Sequence, residues 1–204
     1  GDMSFPFLAA NVLKSDETCL MEDYLILNIH NVKVGLIGVT QAMDQETAEK
    51  NGLTLTDPVK AVKKAVSQIG GDADMNIVMA CVDEESTLSE IAGIKGVNLV
   101  IDGVKDKYYE ADGAGGAMIV SCGNQPSVIG MASVDISKNG AGIDNTFLTM
   151  DVLRDIEDHE ETKKLCEALL SEKAASDQTL VATVDLDQSQ EMTEAFSGGQ
   201  EEDG

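Results

Sequence analysis

The chain has 204 residues, of which 43% are hydrophobic, enough to bury one ordinary core. A formal net charge of −23 excludes nucleic acid and anionic membrane as natural partners, because a polyanion is repelled over most of such a surface. Aromatic residues make up 3% and Trp is absent, so there is no platform for stacking bases and the core falls to Val, Ile, Leu, Ala and Met.

Phe5–Val12 (FPFLAANV) is an apolar run and reads as a strand. Tyr24–His30 and Val32–Thr40 are apolar runs broken at Asn31, which predicts a hairpin with Val34, Leu36, Ile37 and Val39 in a buried strand. Asp57-Pro58 opens a helix, an acidic N-cap followed by proline at the first helical position. Val59, Val62, Val66 and Ile69 recur at three- and four-residue spacing and form its core face, and Gly70-Gly71 ends it. Asn76–Val82 is continuously apolar, the pattern of a strand buried on both faces in a parallel sheet under helices.

Ser86–Ala92 is read as a short helix and Val97–Ile101 as the next buried strand. Glu110–Gly116 reads as a Gly/Asp turn, Ala117–Cys122 and Ser127–Ile136 as strands. Lys138–Gly142 is a tight turn with Asp144–Met150 returning from it. Glu160–Ala175 is an amphipathic helix with Leu165, Leu169 and Leu170 expected on the core side, and Thr179–Val184 is a last strand or a linker. Alternation of strands and helices followed by hairpin strands predicts an α/β domain with a mixed β-sheet and flanking helices. That domain is expected over residues 1–188, and the acidic residues 189–204 are expected to be a disordered tail.

Cys19, Cys81, Cys122 and Cys166 show no C-x-x-C spacing, so zinc-ribbon, thioredoxin-like and haem-attachment sites are not indicated, and most are read as isolated buried thiols. No apolar run approaches the roughly 18 residues of a membrane span. No signal-peptide pattern is visible, which leaves the compartment open. The acidity is read as solubility, with a basic partner or cation-rich surroundings as the alternative.

Several segments, in order, resemble the second half of a 5′-nucleotidase metallophosphoesterase domain. Phe5–Val12 is similar to the family's FP-x-L-x-A-N-v strand, and Asn31–Thr40 (NVKVGLIGVT) to its g-v-K-V-G-v-I-G-l-T strand. Asp57–Val66 resembles its D-P helix, Ala73–Cys81 its a-D-v-i-I-l-L-S-H strand, and Val97–Asp106 its v-D-v-I-i-G-G-H-S-H segment. Ala117–Gly130 resembles the strand pair that follows. The resemblance spans residues 5–185 and implies part of an α-β-β-α sandwich. It also implies a chemistry in which two divalent metal ions hydrolyse nucleotide or cyclic-nucleotide phosphate esters, and an extracytoplasmic setting such as the periplasm.

The residues depart from that pattern where the chemistry lies. The family's lone histidine is matched by Cys81, and its G-H-x-H by Gly103-Val104-Lys105-Asp106. The family's other ligands, D-x-H, G-D and N-H-D/E, belong ahead of the Phe5–Val12 strand. Neither D-x-H nor N-H occurs anywhere in the chain, and Gly71-Asp72 falls at a helix end. Val104 has no donor atom and Lys105 brings a cation. Cys81 could bind a soft metal as thiolate but has no partner ligand nearby in sequence. Asp83, Asp102 and Asn124 are candidates to line the same cleft.

His30 and His159 match no motif, and Gly113–Gly116 lacks the full G-x-G-x-x-G of a phosphate loop. The expectation is a non-catalytic domain of this kind, with no cofactor, that binds an unknown small ligand or protein partner. Two alternatives stand beside it. One is part of an active phosphoesterase whose first half is elsewhere; the other is a cation-binding protein using the carboxylates of Asp83, Glu84, Asp102 and Asp106.

Overall fold

The protein is described by a computed structural model covering residues 5–113, 115–123, 128–137, 140–153 and 156–177. In chain order its elements are β1 (Val12–Lys14), β2 (Tyr24–Ile29), β3 (Val32–Thr40), α1 (Gln45–Lys50), β4 (Leu53–Leu55) and α2 (Pro58–Ile69). Then come β5 (Met75–Cys81), α3 (Glu85–Ala92), β6 (Leu99–Asp102), β7 (Tyr108–Asp112) and β8 (Met118–Cys122). The last are β9 (Val128–Ser137), β10 (Gly140–Thr149), α4 (Met150–Leu153) and α5 (Glu160–Asp177).

A mixed six-stranded sheet of order β2-β3-β5-β6-β8-β7 organises the molecule. Its four central strands β3, β5, β6 and β8 run parallel, and β2 and β7 close the two edges antiparallel. The β2–β3 hairpin turns at His30-Asn31, both left-handed (φ 50° and 69°), the geometry whose twist matches that of the paired strands. Asp57 caps α2 through its Oδ1, which accepts from the amides of Val59 (2.8 Å) and Lys60 (3.2 Å). Gly70 ends that helix with φ 54°, a value glycine adopts without strain.

Helices α2 and α3 close one face of the sheet. Val59, Val62 and Ile69 of α2 and Leu88 and Ile91 of α3 pack with Ile37, Val78 and Val100 of the strands in one buried cluster. Each such side chain removed from water contributes about 1.5–3 kcal/mol. Val66, expected on the same core face, is only partly buried at its edge.

The opposite face is not closed. Alternate residues of β5 and β6, among them Met79 and Ile101, are 38% and 39% exposed. The continuous apolar pattern of Asn76–Val82 therefore leads to full burial on the helix side only. The ribbon of β9 and β10, paired antiparallel from Val128↔Thr149 to Ser137↔Gly140, lies across part of this open face. Ala132, Val134 and Ile136 of β9 line a groove with Leu27, Val34 and Ile77. On the other side of the ribbon, the rings of Phe147 and Tyr108 lie 5.1 Å apart and Asn145 Nδ2 donates to Glu110 Oε2 at 3.2 Å.

Several sequence expectations change. Phe5–Asn11 is not a strand: it crosses the open face as irregular chain, bridged to Glu22 at Leu8 and held by Ala10 N donating to Gly38 O at 2.8 Å. A Cβ on Gly38 would stand 2.5 Å from Leu8 O, so that crossing requires glycine. Glu110–Asp112 belongs to strand β7 rather than to a turn, since Tyr108–Asp112 pairs with β8 along its length. Helix α1 and strand β4, which pairs with β1, were not read from the sequence.

The four cysteines are unpaired, but Cys19, Cys81 and Cys122 are half-buried and Cys166 is exposed. The residues described up to 153 and those of α5 from 156 onward fall in two separate units. Helix α5 exists, but Leu165, Leu169 and Leu170 are 56–66% exposed, so they do not form a core side. The turn at Lys138-Asn139, the segment Thr179–Val184 and the tail 189–204 lie outside the described residues.

Candidate functional site

Parallel strands bring their carboxyl ends to one edge of the sheet, where ligands of open α/β folds bind. Here that edge carries Thr40, Cys81, Asp102 and Cys122. Thr40 is in register with Cys81, and Ala80 with Asp102. Cys81 follows Ile77 and Met79 in strand alternation, so it faces the open side. Asp102 follows Val100 and faces the helices.

Asp102 is 2% exposed and fully engaged. Its Oδ2 accepts from Tyr109 Oη at 2.7 Å, and its Oδ1 accepts from Val104 N at 2.9 Å and Lys105 N at 3.4 Å. The carboxylate thus folds the loop that follows β6 back over its own strand end, an Asx-type turn. Tyr109 keeps its proton to higher pH than an ordinary phenol, first because it is partly buried, then because it donates to Asp102 beside that negative charge, with Glu85 adding to it.

The other candidates spread apart. Val104 is half-buried, with an apolar side chain. Asp83 and Asp106 are exposed. The Lys105 ammonium reaches back across the cleft to the Asp83 carbonyl and to Glu85 Oε1, both at 3.4 Å. His30 sits exposed in the β2–β3 turn, and His159 is exposed at the start of α5 with Nδ1 2.9 Å from Thr162 Oγ1. Asn124 lies outside the described residues.

Among the described residues, no three of His, Cys, Asp and Glu come together in a group able to hold a metal ion. The two divalent ions implied by the resemblance do not fit the residues present: one matching position has no donor, a neighbouring one carries an ammonium, and the buried carboxylate has committed both oxygens.

Two residues of this edge have roles the sequence reading did not assign. Asn11 is fully buried: its Nδ2 donates to Thr40 O at 2.7 Å and Thr56 O at 3.2 Å, while its Oδ1 accepts from Thr40 N at 2.9 Å. It pins the chain before β1 to the end of β3. Its signal was a lone amide inside the apolar run FPFLAANV. Tyr109 was hidden because its segment was read as leading into a turn. Beside these strand ends lies an open apolar groove of about 460 Å³, floored by Leu25, Leu36, Met79 and Ile101 and bordered by Phe7 and Cys81.

No protein-family model matches the sequence. No curated protein matches it either. Solved structures do match in three dimensions. A sulfate thiohydrolase of Thermus thermophilus superposes with a TM-score of 0.67 at 15% identity, over 82% of this chain and 32% of its own. A 5′-nucleotidase precursor, also of Thermus thermophilus, gives 0.65 at 17% identity, over 87% and 40%. The NAD nucleotidase of Haemophilus influenzae gives 0.61 at 16% identity, over 85% and 46%.

The fold is that of the 5′-nucleotidase metallophosphoesterases. At these identities the likeness concerns fold, and the chain spans between 32% and 46% of the length of those proteins. It is thus a partial form of that fold, as the order of its sequence segments implied. Among the described residues no helix is long and apolar enough to cross a membrane.

Proposed function

We propose that this chain is a non-catalytic member of the metallophosphoesterase fold that works as a binding or assembly module. The observation that carries the reading is the strand-end loop Gly103–Asp106. There Val104 offers no lone pair, and the Lys105 ammonium lies 3.4 Å from Glu85 in the cleft between β5 and β6. A two-metal hydrolase needs ions about 3.5–4 Å apart to clamp attacking and leaving oxygens. A fixed ammonium beside such a site opposes cations by charge.

The test is to assay the parent chain and the Cys81→His/Val104→His/Asp106→His variant on an activated phosphate diester in excess Mn²⁺, with elemental analysis of both. Neither is expected to turn over, and the parent is expected to carry no stoichiometric Mn, Fe, Zn or Ni. Metal-dependent turnover by the parent would sink the reading. Turnover by the variant alone would mean that far more of a site survives than these residues suggest.

A second reading keeps the chain as one contributor to an active phosphate-ester hydrolase. It is supported by the chain spanning less than half of each of those proteins, two of which are named as nucleotidases. In that reading the missing ligands come from other residues, and an extracytoplasmic setting suits it. The carboxylate cation site is a weaker reading, because Asp102 is already engaged by Tyr109 and two backbone amides.

A further inference from the structure

We propose that the chain forms a two-fold dimer by antiparallel pairing of the outer edge of β2 with β2 of a second copy, which joins the two six-stranded sheets into one. The inference goes beyond the binding-module reading and does not depend on it, since pairing at this edge neither needs nor excludes hydrolysis.

The backbone phase of the β2–β3 hairpin fixes which groups face outward. Lys33 of β3 turns towards β5: its N donates to Asp74 Oδ2 at 2.8 Å and its O accepts from Asp74 N at 2.8 Å. Val32, Val34 and Leu36 therefore turn the other way. Further along β3, Gly38 O accepts from Ala10 N and the Thr40 backbone is bonded by Asn11, in the same phase. In the register Ile29↔Val32, Leu27↔Val34 and Leu25↔Leu36, the β2 residues that exchange hydrogen bonds with β3 are Leu25, Leu27 and Ile29. Tyr24, Ile26 and Asn28 present their N–H and C=O to the outside. Among the described residues β2 pairs with β3 alone, and the only hydrogen bond on those outward groups is a local one, Tyr24 N donating to Asp23 Oδ1 at 3.2 Å.

Nothing blunts this edge. β2 is YLILNI, without charge or proline, and its pairing runs without a bulge. Charges, prolines and bulges are the features that keep exposed strands from joining others. The opposite edge of the sheet is guarded: β7 carries Glu110 and Asp112, and Asn145 of β10 donates to Glu110.

Self-complementarity selects a second copy as the occupant. Centring on Ile26 sets that residue opposite its own counterpart and Tyr24 opposite Asn28 of the second copy, so each outward N–H meets an outward C=O. The same register sets Leu25 opposite Leu27 of the second copy, apolar against apolar. Glu22 and Asp23 meet the His30-Asn31 turn rather than each other's carboxylates. Side chains keep their faces: Tyr24 and Ile26 pack with the helix-side core, while Leu25 and Leu27 line grooves on the other side. Such a contact closes on itself by two-fold symmetry. The seam is one strand wide and each copy carries −23, so association is weak and strengthens as salt screens that charge.

The experiment takes the full chain through sedimentation velocity from about 1 μM to about 1 mM, the span of weak association, at low and high salt. A monomer–dimer equilibrium is expected, with more dimer at high salt. Residue-resolved amide hydrogen exchange is compared at the two ends of that range. The amides of Ile26 and Asn28 are expected to slow as concentration rises, whereas those of Leu25, Leu27 and Ile29, already bonded to β3, change little. Asn28→Pro deletes an outward N–H that bonds nothing within the single chain, a position where edge strands tolerate proline. It should melt like the parent and raise the Kd of the dimer at least about tenfold.

The inference falls if the chain stays monomeric throughout, if the dimer dissociates as salt is raised, or if the outward amides exchange no more slowly in the dimer. It also falls if a folded Asn28→Pro variant dimerises like the parent. Should that variant fail to fold, the exchange comparison on the parent decides alone.

Discussion

The two faces of the six-stranded sheet are made from alternate residues of the same strands, yet they end in different environments. On one side Ile37, Val78 and Val100 are fully buried beneath α2 and α3. On the other, Met79 and Ile101 remain part-exposed beside a two-stranded ribbon that covers only some of the face. Hydrophobicity is similar on both sides; the difference is what each face finds to pack against. Right-handed crossovers carry α2 and α3 to the same side of parallel strands, so local connectivity closes that face. On the second face the described residues supply only the β9–β10 ribbon and the irregular segment Phe5–Asn11, neither of which covers Met79 and Ile101 fully.

The sharpest way to break this comparison is a matched pair of truncations. Ile37→Ala on the closed face should cost about 2–5 kcal/mol, the range for removing a buried aliphatic side chain and leaving a cavity. Met79→Ala on the open face should cost no more than about 1 kcal/mol, as at part-exposed positions. Urea melts of both variants measure this; equal losses would mean that the open face is covered in solution.

Next in size is the buried hydrogen bond at the strand ends. Tyr109→Phe removes a donor from an Asp102 carboxylate that stays buried, which should cost about 1–3 kcal/mol. The substitution also has a pH signature. The folded-state pKa of Tyr109 is raised above its unfolded value. Its contribution to stability is therefore fully present below about pH 10, where an unfolded phenol ionises, and is lost as pH rises towards the folded value. Tyrosinate absorbance across an alkaline titration should show a late-ionising phenol in the parent that is missing from Tyr109→Phe. Identical profiles would dissolve the assigned contact.

The smallest effect sharpens the account of how the closed face is built. Asp57→Ala removes the cap of α2 and should cost about 1 kcal/mol, with Asp57→Asn recovering most of it because an amide oxygen can accept the same amide hydrogens. Failure of asparagine to rescue would assign the effect to charge rather than to capping.

The open face also explains what was hard to read. Asn76–Val82 looks buried on both sides because apolar content reports the capacity for burial, not the presence of a cover. Leu165, Leu169 and Leu170 misled in the same way: their spacing makes a helical stripe, and nothing in that spacing says whether a surface lies opposite. The resemblance assigned expected ligand positions to Cys81, Val104 and Asp106, and the structure puts Cys81 at the end of β5 and the other two in the loop after β6. The engagement of Asp102 by Tyr109 was not legible, since it joins the end of β6 to edge strand β7, beyond β8, in a segment read as leading into a turn.

By itself the sequence determined the elements whose causes are local. The helix of Asp57–Gly70 follows from its cap, its apolar spacing and its terminating glycine. The β2–β3 hairpin follows from paired apolar runs around His30-Asn31, and the parallel strands from unbroken Val, Ile, Leu and Met. Only the tertiary structure decided which face of the sheet is closed and that Asn11 and Asp102 serve as buried fasteners. Those outcomes depend on side chains 7 to 45 residues apart along the chain meeting in space, and no local pattern encodes such meetings.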